Sequence, residues 1–167
     1  AQSISALNGC WSYTWQGKDE KWYPADSKTI YDAMVAKIGA ANVITTTAKG
    51  FDDLKNYDVT ALTNAAAKAD VIVLCIGENA YAESPGNIRD LALPKDQENL
   101  AIAAALTGKP VILVLTEGRP RFITNIEPSA KGILMAYWSG KKTGEAIADI
   151  LFGDYNQFNQ DSNDYIL

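Results

Sequence analysis

Two apolar, β-branched runs constrain this chain most. Val71-Ile72-Val73-Leu74-Cys75-Ile76 and Val111-Ile112-Leu113-Val114-Leu115 are unbroken by polar residues. A strand with one wet face alternates apolar with polar, whereas one covered on both faces reads as a continuous apolar run. Both runs therefore predict parallel strands buried on two sides, over Asp70–Ile76 and Pro110–Thr116. Helix-patterned segments separate them. Ser27 to Gly39 carries Ile30, Met34 and Ile38 at helical spacing, with Asp26 or Ser27 as the expected N-cap and Gly39 as the stop. Asp58–Ala67, Lys95–Thr107 behind Pro94, and Thr143–Phe152 before Gly153 read as further helices. Asn42–Thr47 is β-branched and predicts a short strand, and Gly132–Tyr137 another. This alternation predicts an α/β layered sandwich, with a mainly parallel sheet flanked by helices on both faces.

The length of 167 residues suits one domain. Residues 1–156 are read as that domain, and 157–167, rich in Asn, Asp and Gln, as a loosely held or disordered polar tail. No apolar stretch approaches the roughly 20 residues of a membrane-spanning helix. With 15 Lys+Arg against 20 Asp+Glu, a net charge of -5 and no basic stripe, nucleic acid is not an expected partner.

The chain contains no histidine. A Ser-His-Asp triad, a Cys-His dyad and an HExxH zinc site are all excluded, so proton transfer falls to Glu, Asp, Lys, Tyr or Cys. The two cysteines, Cys10 and Cys75, make no zinc cluster, and whether they pair is open. Cys75 reads as a small buried hydrophobe within its strand. Nucleotide motifs fail too: there is no GxGxxG after a strand, and Gly140-Lys141-Lys142-Thr143 is only half a phosphate loop. No metal or cofactor is called for.

In open parallel sheets, ligands bind beyond the carboxyl ends of the strands. Gly77–Pro94 leaves such an end and is long for a strand-to-helix connection. It carries Glu78, Asn79, Tyr81, Glu83, Ser84, Asn87, Arg89 and Asp90. The functional reading is a binding or catalytic loop; the plainer one is a solvated loop in which Arg89 pairs a neighbouring acid. Trp11 and Trp15, with Tyr13 between, read either as a hydrophobic anchor or as a sugar platform. In the second case an indole stacks on a pyranose ring while Gln16 or Lys18 bonds hydroxyls. Arg119, in Glu117-Gly118-Arg119-Pro120, suits either an anion or the fixing of loops by bidentate carboxylate pairing.

Four pieces resemble the second, α/β-sandwich domain of glycoside hydrolase family 3 β-glucosidases and exo-β-glucanases. They are Leu7-Asn8-Gly9-Cys10-Trp11-Ser12-Tyr13-Thr14-Trp15-Gln16-Gly17, Ala69 to Pro94, Gly108 to Pro120, and Ala136 to Asn156, in the family's order. The resemblance implies part of a retaining β-glycosidase acting on β-glucosides or β-glucan oligosaccharides. Its Asp nucleophile would lie on a separate N-terminal barrel domain. Tyr81-Ala82-Glu83-Ser84-Pro85-Gly86 resembles the family's acid/base loop, which makes Glu83 the acid/base candidate and Glu78 the competing choice. Trp15 is similar to a tryptophan that clamps a glucosyl ring; Trp11 and Arg89 are further substrate-binding candidates. Neither carboxyl role needs a cofactor. The resemblance also implies a periplasmic or extracellular location. Such domains open with a strand ahead of Ala1, so the sheet is expected to keep a free edge at which a second copy can pair. A non-catalytic sugar-binding or scaffold domain is the alternative, and an unrelated nucleotide-binding domain a more distant one.

Overall fold

The computed structural model describes residues 2–46, 51, 54 and 57–156. Its elements are α1 (Ile30–Ile38), α2 (Val59–Ala67), β1 (Ile72–Gly77), α3 (Lys95–Leu106), β2 (Val111–Thr116), β3 (Gly132–Met135) and α4 (Thr143–Phe152). The strands form a parallel sheet in the order β1-β2-β3. The register runs from Ile72 opposite Val111 to Gly77 opposite Thr116, and from Ile112 opposite Gly132 to Leu115 opposite Met135.

Side-chain alternation sorts the apolar runs onto two faces. Leu74, Ile76, Leu113 and Leu115 pack with Leu62 of α2 and with Leu100, Ala101 and Ala104 of α3. Val73, Cys75, Val114 and Leu134 pack with Ile30 and Met34 of α1 and with Ile147 and Leu151 of α4. Ile4, Leu7 and Tyr23 complete that second layer, which anchors the N-terminal segment. Helices thus cover both faces, as the sequence predicts. Cys75 lies in this layer half-buried rather than buried, as the strand it sits on is at the sheet edge among the described residues, and Cys10 and Cys75 are free thiols.

Helix ends follow local capping chemistry. Asp58 accepts from the backbone N–H groups of Thr60 and Ala61 at the start of α2. At α1 the expected start is corrected. Thr29 and Asp32 form a capping box, with the Thr29 side chain accepting from Asp32 N at 3.2 Å and Asp32 Oδ2 accepting from Thr29 N at 3.0 Å. This places the N-cap at Thr29 rather than at Asp26 or Ser27. α4 ends where Gly153 takes a left-handed conformation.

The strand expected over Asn42–Thr47 is absent from the described part of that segment. Ala40–Asn42 is a 3-10 turn, Val43 is extended, and residues 43–46 join no ladder among the described residues; Thr47 lies outside the described residues, as does the tail 157–167. β propensity does not make a strand without a partner for its backbone groups. β1 pairs with β2, and no strand is bonded to its other edge among the described residues. Between that edge and residues 43–46 lies a cavity of about 930 Å³, walled by Val43, Val71 and Val73 with Met34 and Leu62.

Candidate functional site at the carboxyl ends of the strands

The register sets Gly77 beside Thr116, so the loops leaving β1 and β2 start side by side. Glu78 N donates to Thr116 O at 3.0 Å. A side chain at position 77 is excluded: its Cβ would lie 2.0 Å from Thr116 O, with φ at +149°. Buried Gln97 of α3 fixes the same residue, accepting from Gly77 N and donating to Gly77 O, both at 2.8 Å.

Glu78 stands at the root of the loop with its side chain 10% exposed. Arg121 Nη1 donates to its Oε1 at 2.7 Å, and Arg119 Nε lies 3.3 Å from the same oxygen. Tyr81 Oη is 3.4 Å from Oε2. Each guanidinium also holds the loop backbone: Arg119 Nη2 donates to Gly86 O and Arg121 Nη2 to Ala92 O, both at 2.6 Å. The Arg119 guanidinium stacks 4.2 Å from the centre of the Tyr81 ring, which meets Trp138 edge-on at 4.7 Å. Trp138 Nε1 donates to Glu78 O at 3.3 Å.

Beneath this cluster, Glu117 is fully buried. Its Oε1 accepts from Arg121 N at 3.2 Å, while Oε2 has no hydrogen-bond partner among the described residues. Burial pushes the Glu117 carboxyl above its ordinary range, and the Arg121 N–H opposes that only in part.

Glu83 occupies a different environment. Its side chain is exposed and its backbone is strained for a residue with a Cβ, at φ 55°, ψ −137°. The neighbouring chain holds it there. Glu83 O accepts from Gly86 N at 2.9 Å, opening the Ser84–Gly86 3-10 turn. Buried Ala82 is bonded through both backbone groups to Gln16. That bond sets the Trp15 segment beside the loop. Trp11 and Tyr13 both have positive φ, and Trp11 N donates to Trp15 O at 3.0 Å. The turn leaves Trp11, Tyr13 and Trp15 exposed, at 71%, 58% and 48%. Three large aromatic faces and the exposed Glu83 side chain thus share this rim.

Residues 3–158 match the family model described as "Glycosyl hydrolase family 3 C-terminal domain". The chain belongs to this family. A lysosomal beta glucosidase of Dictyostelium discoideum is 34% identical over 161 residues, covering 93% of this chain and 20% of that protein. A periplasmic beta-glucosidase of Salmonella typhimurium is 41% identical over 93 residues, covering 55% of this chain and 12% of that protein. A mutant beta-glucosidase from Listeria innocua, solved in complex with laminaribiose, superposes with a TM-score of 0.71 at 26% identity, covering 92% of this chain and 20% of that one. The chain therefore spans at most about a fifth of the length of these relatives.

Within this family 3 domain, the structure brings Glu83 and Trp15 together through the Gln16–Ala82 bond and puts Trp11 on the same turn. It places Glu78 instead inside the arginine cluster. Arg89 is exposed and makes no ion pair among the described residues, so the expected pairing with an acid is not found. Of Gln16 and Lys18, the two candidates for bonding sugar hydroxyls, Gln16 spends one N–H and one acceptor position on Ala82. Arg121, Gln97 and Trp138 are given no role by the sequence reading, and Glu117 figures there only as the neighbour of Arg119. The repeated arginine in Arg119-Pro120-Arg121, directly after a strand end, was the available signal for the first.

Proposed function

We propose that the chain supplies the acid/base carboxylate and part of the sugar subsite of a retaining β-glycosidase acting on β-glucosides or β-glucans. The nucleophile would sit on a barrel domain outside this chain. The observation that carries the reading is Glu83: an exposed carboxyl on a strained, clamped backbone, set beside Trp15. Retaining hydrolysis needs two carboxyl groups about 5–5.5 Å apart. One attacks the anomeric carbon. The other gives its proton to the departing glycosidic oxygen, then takes one from the water that releases the sugar. Glu83 has the exposure to face a partner domain and the fixed backbone that a proton donor needs. Glu78, with both oxygens engaged by its neighbours, braces the loop in this reading. Trp15 and Trp11 offer indole faces to the apolar face of a glucosyl ring, and Arg89 an exposed cation on the Glu83 loop. The periplasmic and lysosomal relatives favour a location outside the cytoplasm, and the β1 edge, to which no strand is bonded among the described residues, would serve as a pairing edge for a second copy.

The test is aryl β-glucoside hydrolysis by the chain alone, with a separately made barrel domain added, and with Glu83→Gln in that mixture. Activity only on mixing is expected. Glu83→Gln should abolish most of it, with azide restoring turnover of substrates whose leaving group needs no proton. Unchanged turnover in Glu83→Gln would falsify the acid/base role. The exposed aromatic turn also favours a second reading, sugar binding without hydrolysis. Trp15-dependent binding of glucose or laminaribiose with no hydrolysis in any mixture would select it.

A further inference from the structure

We propose that Arg121 is a positioning residue for the acid/base loop, acting with Arg119 through their shared partner Glu78; the inference rests on the reading of Glu83 as the acid/base. Between Gly77 and Pro94 the described structure contains one 3-10 turn and one isolated bridge, Ala92 to Phe122. Its shape therefore depends on side chains that reach its backbone. Gln97 holds Gly77, Gln16 holds Ala82, Arg119 holds Gly86 and Arg121 holds Ala92. Gln16 holds the chain just before Glu83 and the two arginines hold it after, and both arginines converge on Glu78 within the same loop.

Arginine suits this task and lysine does not. A guanidinium presents five N–H donors in a rigid fork, so one side chain can bond a carboxylate and a carbonyl at once. Arg121 does this with its side chain 8% exposed, while its own backbone N–H is held by Glu117. A lysine at 121 keeps the charge near Glu78 but loses the bridge to Ala92. Backbone strain such as that at Glu83 persists only while the surroundings over-determine it. Releasing one staple lets the loop relax and moves the carboxyl, and a displacement of about 1 Å can cost on the order of 100-fold in rate.

The experiment has two arms. In the 167-residue chain, Arg121→Lys is expected to speed amide hydrogen exchange across residues 79–92 while the amides of β1, β2 and β3 stay protected. In the barrel-containing enzyme, the same variant is expected to lower kcat about 10- to 100-fold with little change in KM. The loss should be greater for aryl glucosides with poor leaving groups than for those needing no proton. Unchanged exchange in the loop overturns the positioning role whatever Glu83 does. Faster exchange with a uniform loss across leaving groups overturns the link to proton transfer. Unchanged turnover in Glu83→Gln overturns the acid/base reading separately. If Arg121→Lys fails to fold, Arg119→Lys, which removes the less buried staple at Gly86, is expected to give the same pattern and is read the same way.

Discussion

Gln16 and Ala82, 66 residues apart, are joined as a strand pair would be. Ala82 N donates to Gln16 Oε1 at 3.0 Å, and Gln16 Nε2 donates back to Ala82 O at 3.3 Å. One side chain thereby ties the aromatic turn to the loop that carries Glu83. The glycines around it allow the close fit: at Gly17 a Cβ would lie 2.4 Å from Gly9 O.

Replacing that side chain should separate the two halves of the rim. Gln16→Ala strips two partners from the backbone of a buried residue, and stranding a buried polar group costs about 1–3 kcal/mol. Chemical denaturation should show a loss in that range. On the proposed reading of Trp15 as a sugar platform, laminaribiose affinity should fall as well, because Trp15 and the loop no longer hold a fixed relation. Equal affinity in the variant would show that the turn is held by other means.

Gly118 makes a sharper test of packing. A Cβ there would stand 2.5 Å from Trp138 Cζ3 and 2.9 Å from Tyr81 Oη. Gly118→Ala must push apart the ring pair on which Arg119 rests, and overpacking of this kind costs about 1–3 kcal/mol. Near-ultraviolet circular dichroism should report the disturbed Tyr81–Trp138 contact. Gly132→Ala is the control. Its nearest neighbour would be Ile112 at 3.8 Å, an ordinary contact, and it should leave that signal intact.

The parts of this fold that were legible in the sequence are those decided locally. β2 is readable because two-sided burial leaves an uninterrupted apolar run, β1 by the same run although Ile72, Val73 and Cys75 are only half-buried, and α4 because Gly153 marks its stop. Asn42–Thr47 misled because strand propensity says nothing about whether a ladder partner is present. In the site, the Gly77–Pro94 loop stood out by its length and its place at a strand end. Arg121 did not, because its partner Glu78 is 43 residues away and the two meet only through the register of Gly77 with Thr116. Glu78 was a plausible acid in the sequence for the same reason: nothing local announces the two guanidiniums around it.

The two-sided core predicts where stability resides. Leu113, 1% exposed, lies at the centre of the sheet between β1 and β3 and packs on the α2–α3 side. Leu113→Ala should cost about 2–5 kcal/mol through lost burial and the cavity left behind. Ile44→Ala, at a position 47% exposed on the wall of the cavity beside β1, should change stability by no more than about 0.5 kcal/mol. Urea unfolding of the two variants checks the contrast. A large loss at Ile44 would mean that residues 43–46 pack more tightly in solution than their exposure indicates.

Glu117 predicts a pH dependence whose direction is fixed by its burial. Desolvation raises its pKa, the Arg121 N–H lowers it, Glu78 raises it further and the Arg121 charge lowers it, with a net upward shift. A carboxyl that binds its proton more tightly in the folded state makes folding less favourable as pH rises. The loss begins near the unfolded value of about 4.3 and is complete above the folded value. Glu117→Gln keeps an acceptor for Arg121 N and carries no charge. Its Tm relative to the parent should therefore rise as pH climbs from about 4 through that window, then level off. Below the unfolded value, where both side chains are neutral, the gap should be constant. A gap that stays flat across the whole range would show that Glu117 titrates alike in the folded and unfolded chain, with its charge fully met by Arg121.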